Sequence, residues 1–135
     1  MDATGALADL TEISSQVGDA AVFTEDGSVL ASTFPAEELA ARLARTAVEL
    51  LAAAAELLPH GERALTQLEV ALAEGSVFVV CDEARGIVAS VAPGAPSGLV
   101  LYDLRSCLRT LDDSADDAHE TPRKQTTRKQ TTADA

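Results

Sequence analysis

Between residues 65 and 92 the chain carries three apolar stretches joined by turns too short to carry the backbone across a sheet. Residues 76–81 (SVFVVC) are almost wholly apolar and β-branched, and residues 87–92 (IVASVA) repeat that character. Glu74-Gly75 separates the first of these from a preceding stretch at 65–73, and Asp82-Glu83-Ala84-Arg85-Gly86 separates it from the next. Parallel neighbours need a crossover of a dozen residues or more, so linkers of two and five residues force an antiparallel meander. Alternation in the 65–73 stretch is imperfect: Thr66, Leu68, Val70 and Leu72 fall on one side, and Leu65, Gln67, Glu69, Ala71 and Ala73 on the other.

A second β unit lies upstream. In AAVFTEDGSVLAST, apolar runs at 20–23 and 29–31 flank Glu25-Asp26-Gly27. Asp and Gly tolerate the positive φ of a tight turn, so a hairpin is expected with strands at about 19–24 and 28–32. Helical periods fill the rest. Leu7, Leu10 and Ile13 predict a short helix over 4–15 with Thr4 as a possible cap, and Gly18 ends the connecting turn. Pro35 opens a long helix with Glu37 and Glu38 in its first turn, where acidic side chains favour the dipole. Leu39, Leu43, Ala47, Leu50, Ala54, Leu57 and Leu58 recur at helical spacing until Pro59-His60-Gly61, and the alanines at 40, 44, 47 and 52–55 allow close approach of another element. Leu101, Leu104, Leu108 and Leu111 predict a last helix over 99–111. The order is helix, two strands, long helix, three strands, helix, which describes one α+β domain on a single sheet.

Charge and composition narrow the function. Residues 1–111 carry sixteen acidic and six basic side chains, a net of −10. Such a field repels phosphate backbones and anionic headgroups, so neither nucleic acid nor a membrane surface is an expected partner. The longest apolar helix is interrupted by Arg42, Arg45, Glu49 and Glu56, and no basic-apolar leader precedes the domain, so a cytoplasmic location is expected. Cys81 and Cys107 are too few and too far apart for a disulfide scaffold or zinc site and read as small buried hydrophobes. Three phenylalanines, one tyrosine and no tryptophan leave an Ala/Leu/Val core with little bulk, which makes self-association a plausible source of further burial.

No catalytic constellation stands out. His60 sits at a helix end and His119 in an acidic stretch, and the pairs Glu37-Glu38, Asp82-Glu83, Asp112-Asp113 and Asp116-Asp117 fall in turns, caps or tail. There is no G-x-x-x-x-G-K-[ST] loop, no G-x-G-x-x-G after a strand and no G-x-S-x-G. No catalytic residue, cofactor ligand or metal ligand is expected, and a non-enzymatic role through protein contacts is.

Four segments in order give a family resemblance: GDAAVFTEDGSVLAST, PAEELAARLARTAVELLAAAAELL, LTQLEVALAEGSVFVVCDEARGIVASVA and APSGLVLYDLRSCLRTL. Over about residues 5–111 the chain resembles the roadblock/LC7 (dynein light chain-like) domains, nearest the bacterial branch that accompanies Ras-like GTPases. The resemblance implies a five-stranded antiparallel sheet with profilin-like layering, the long helix on one face and the first and last helices on the other. It also implies dimers whose sheets join edge to edge and whose long helices pack together. The strand at 65–73 then lies at the shared edge, and Leu39, Leu43, Ala47, Leu50, Ala54, Leu68 and Val70 become the dimer or partner interface. The expected function is regulation or scaffolding of a small Ras-like GTPase by a homodimer, beside a sensor-kinase system. The alternative is a small-molecule or signal-sensing domain in such a pathway.

Residues 112–135 differ from everything before them. They hold no large apolar residue, begin acidic (DDSADDAHE) and end with RKQTT repeated at 123–127 and 128–132. A disordered charged tail is expected beyond a domain of residues 1–111. Within it Thr126 and Thr131 each follow an arginine by three residues and a lysine by two, a pattern a basophilic kinase can read; the alternative is an unmodified solubilising tail.

Overall fold

A computed structural model of the chain describes residues 2–57, 66–82 and 84–119, with residues 112–119 described as backbone. Eight elements follow in order: α1 (Ala3–Ile13), β1 (Val17–Thr24), β2 (Val29–Ser32), α2 (Glu37–Ala55), β3 (Gln67–Leu72), β4 (Gly75–Cys81), β5 (Arg85–Val91) and α3 (Ser97–His119). The five strands form one antiparallel sheet in the order β2-β1-β5-β4-β3. The hairpin and the meander are therefore joined by β1 lying against β5, with Ala20 opposite Ala89 and Val22 opposite Ile87.

Successive side chains of the inner strands enter two separate cores, as a period of two requires. On one face Ala20, Val22, Phe78, Val80, Ile87 and Ala89 pack with Leu7 and Leu10 of α1 and Val100, Leu104 and Leu108 of α3. On the other, Ala21, Phe23, Val79 and Val88 pack with Ala40, Ala44 and Ala47 of α2. Burial on both faces is why β1, β4 and β5 read as continuous apolar runs instead of alternating ones.

The long helix is rotated relative to the leucine stripe read from the sequence. Its sheet-facing line is Ala40, Ala44 and Ala47, with Leu43, Val48 and Leu51 on the flanks, whereas Leu39 and Leu50 are each 38% exposed. Stripes starting at 39 and at 40 have the same period and differ by about 100° of rotation. Bulk from Phe23, Val79 and Val88 on the sheet selects the alanine stripe, because small residues let the helix backbone come close.

Several boundaries move for local reasons. Asp2, not Thr4, caps α1, its side chain accepting from the Gly5 amide at 2.8 Å. Gly18 lies inside β1 rather than in a turn, at a register irregularity between Val17 and Ala20. α2 begins at Glu37 behind Ala36, so Pro35 precedes the helix, while Glu37 and Glu38 do occupy the first turn. α2 ends at Ala55 and its expected stop, Pro59-His60-Gly61, lies outside the described residues. α3 runs on to His119, past the expected end at Leu111. The apolar stripe ends at Leu111, but no glycine or proline occurs between Gly98 and Pro122 to stop the backbone. Residues 120–135 lie outside the described residues.

The β1–β2 turn behaves as its Asp-Gly pair requires. Gly27 adopts φ +91°, and Asp26 Oδ1 accepts from the Thr24 hydroxyl and from the Ser28 amide at 3.1 Å. These bonds, that from Thr24 foremost, hold the Asp26 carboxyl below its usual range. Gly86, opposite Phe23 and Cys81, is demanded by close approach instead: a Cβ there would lie 2.5 Å from the Phe23 ring. Phe23 is buried and cannot swing aside without disturbing the α2 core. Gly86→Ala is therefore expected to lower the free energy of unfolding by about 1–3 kcal/mol in urea titration. Gly98→Ala, where an added Cβ meets nothing within 4 Å, should stay within about 0.5 kcal/mol of the parent.

Candidate functional site

α2 covers the sheet unevenly. It lies over β2, β1 and β5, Arg45 rests against the β1–β2 turn at Gly27, and Ala40 and Ala41 face β2 across a groove. By helical geometry the opposite flank of α2 carries Leu39, Leu43, Leu50 and Ala54 and is turned toward the β4–β3 side of the sheet. Leu43 is half-buried, and Ala47 is buried on the sheet itself.

The edge strand supplies the rest of this surface. Leu68 pairs with Val79 and Val70 with Val77, so both β3 residues share the face on which α2 lies. Leu68 packs against the α2 core and Val70 is half-buried. Leu72 continues their line and is 59% exposed. β3 pairs only with β4, so its outer backbone row is the open edge of the sheet. Leu72 and Val77 share the face on which α2 lies, Leu72 on the same alternation as Leu68 and Val70. The seven expected residues thus come together on one side of the domain, with Ala47 beneath and the others flanking or exposed. Thr126 and Thr131 lie outside the described residues.

This surface is lined mainly by apolar side chains. The polar contact at β3 is on the opposite face, where Ser97 at the start of α3 donates to Glu69 at 3.1 Å. Among the described residues no group of three or more His, Cys, Asp or Glu side chains could hold a metal ion. No helix there is long and apolar enough to cross a membrane.

The sheet topology and layering define an α+β domain of roadblock/profilin type, with one five-stranded antiparallel sheet carrying α2 on one face and α1 and α3 on the other. No family model and no curated protein matches the chain. Solved structures do. A roadblock/LC7 domain from Streptomyces avermitilis superposes with a TM-score of 0.76 at 16% identity, covering 86% of this chain and 99% of that one. MglB from Myxococcus xanthus gives 0.72 at 15% identity over 85% of this chain and 95% of that one. The gliding protein MglB of Thermus thermophilus gives 0.69 at 21% identity, with 85% and 89% covered. The chain has the roadblock/LC7 fold, and structures of MglB are among those it resembles.

Both cysteines are thiols. Cys81 ends β4 half-buried, and burial, with the Asp82 carboxylate adding, pushes its thiol above the ordinary value. Cys107 is buried in α3, its sulfur 3.6 Å from the Ala6 carbonyl oxygen. Burial, with Asp9 adding, pushes that thiol up to about 11. At pH 8 roughly one Cys107 in a thousand is then thiolate. Iodoacetamide followed by peptide mass spectrometry should label Cys81 first, with Cys107 reacting fully only after unfolding.

Proposed function

We propose that this domain regulates or scaffolds a small Ras-like GTPase without catalysing a reaction itself, and that it does so as a homodimer. The observation that carries this reading is the apolar flank of α2 continuing onto the open edge at β3, on a fold shared with MglB. The likeness to MglB supports a small GTPase as partner. A domain of this size leaves little margin in burial energy, and its α2 core is lined by alanine on the helix side. Joining two β3 edges would pair the open backbone row, and bringing two α2 flanks together would cover Leu39, Leu43, Leu50 and Ala54.

Sedimentation equilibrium of the full chain at about 10 µM should give twice the chain mass if the dimer is micromolar or tighter. A monomer at that concentration overturns the homodimer. Leu50→Asp should leave the far-UV spectrum and thermal transition of the monomer intact, because Leu50 is 38% exposed. It should nevertheless weaken assembly. Each interfacial carboxylate without a partner costs about 1–3 kcal/mol, and a two-fold interface carries it twice. The dissociation constant should rise by roughly 30-fold or more.

The GTPase reading is tested by pull-down with a small Ras-like GTPase encoded beside this chain, loaded with GDP or with a GTP analogue. Retention that differs between the two states is expected, and absence of binding in both overturns it. Thr126 and Thr131 are the modification sites of this scheme, each phosphate adding about −1.5 to −2 charges to a basic segment. Intact-mass analysis of protein from its native cells should show species heavier by one or two phosphates.

A further inference from the structure

α1 and α3 lie side by side on the face opposite α2 and leave a cleft of about 100 Å³ between them. Its walls are mostly apolar, Ala6, Leu10 and Ile13 from α1 and the Cys107 thiol from α3, with Ser106 and Thr110 completing the α3 side and Arg109 donating to Ser106 at 3.2 Å. Ile13 is 74% exposed there, among the most exposed large apolar side chains of the described residues. Two carboxylates flank the cleft, Asp9 from α1 and Asp103 from α3. Among the described residues neither has a hydrogen bond or ion pair. Two carboxylates at the margin of a mostly apolar slot, in a domain already strongly acidic, attract a cationic side chain.

The shape of the site names the chemistry of its occupant. A purely apolar ligand would ignore Asp9 and Asp103, and a small inorganic cation would ignore Leu10 and Ile13. A lysine or arginine side chain satisfies both, laying its methylene stem on apolar wall and keeping its charged head at the rim. Volume agrees: an apolar cavity of about 150 Å³ takes a benzene ring, so a cleft of about 100 Å³ admits an aliphatic stem.

The chain holds such a segment. Its only lysines are Lys124 and Lys129, each following an arginine in the RKQTT repeats. Reach selects between the two. From Asp103 to His119 α3 advances sixteen residues, about 24 Å along its axis, and the chain must return that distance. Arg123-Lys124, four and five residues beyond His119, spans at most about 17 Å fully extended, which leaves nothing for the reversal. Arg128-Lys129, nine and ten residues beyond, spans up to about 33 Å and suffices. We infer that the second RKQTT unit of the C-terminal tail docks its Arg128-Lys129 doublet in the α1–α3 cleft of its own chain, between Asp9 and Asp103. The surface so covered is opposite the proposed dimer and partner face, and the inference does not depend on that reading.

The test uses full-length protein throughout. Amide spectra of the ¹⁵N-labelled chain are compared with those of the Arg128→Glu/Lys129→Glu variant and of Asp9→Asn/Asp103→Asn. Both changes should move the resonances of Ala6, Leu10, Ile13 and Cys107, and paramagnetic labels placed at Ala133 should broaden these four in the parent but in neither variant. Raising salt to about 1 M, where the Debye length falls to about 3 Å, should abolish most of that broadening. Broadening confined to residues 112–117 would show the doublet paired with the acidic end of its own helix and overturn the inference. Broadening of the cleft that appears only between labelled and unlabelled molecules, or that grows with concentration, would make the occupant a second copy's tail and also overturn it. No broadening at the cleft in the parent at low salt would do the same.

Discussion

The pairing of β1 with β5 is the interaction on which the other contacts depend. It joins the amino-terminal hairpin to the carboxy-terminal meander across sixty residues of chain, and both partners are buried on both faces. Without it neither α1 nor α2 has a continuous sheet to lie on, since Val22 and Ile87 feed one core while Phe23 and Val88 feed the other. Closing so long a loop is entropically costly before the first contact forms, and short-range β turns at Gly27 and Gly75 limit how much further must be ordered. The register is fixed where Phe23 lies over Gly86: a slip by one residue would place a side chain under the ring and exchange the two cores.

Much of this was legible in the sequence, and the exceptions share a cause. Short linkers settled the antiparallel meander, and Asp26-Gly27 settled the hairpin, because both depend on chain connectivity and local φ. Layering came from the resemblance and is what the structure has. The rotation of α2 was not legible: leucines at 39, 43 and 50 and alanines at 40, 44 and 47 have one period, and only the bulk of Phe23, Val79 and Val88 opposite them decides which faces the sheet. Asp2 as the cap of α1 escaped because Thr4, two residues further in, is also a capping type. The end of α3 escaped because an apolar stripe marks where a helix is covered, not where its backbone stops.

Charge is distributed differently from burial. The described arginines on α2 and α3 are interspersed with carboxylates, and Arg109 donates to Ser106 at the α3 side of the α1–α3 cleft, whereas α1 has no basic residue in its last turn. A helix ending without a cation near its carbonyls, beside Glu12 and Asp9, concentrates negative potential at that end. A sequence reading that sums charge over the domain sees only a uniformly acidic object. The packing of α1 against α3 turns it into a local field with an apolar floor.

The alanine seam beneath α2 links the fold to assembly. Alanine at 40, 44 and 47 draws the helix close to the sheet but removes little apolar area from water per residue, at roughly 25 cal/mol per Å². Leucines that could have filled that seam are instead displaced to the flank, where they remain partly in water. A monomer optimised for its own stability would place the large side chains inward and polar ones on the flank. The inverse arrangement follows if the flank is itself the inner surface of a larger object: close approach of α2 to the sheet leaves its leucine side free to meet a second helix, while β3, paired on one side by β4, keeps its outer edge free to meet a second strand. Both open features lie on the same side of the domain, so one partner can satisfy them together.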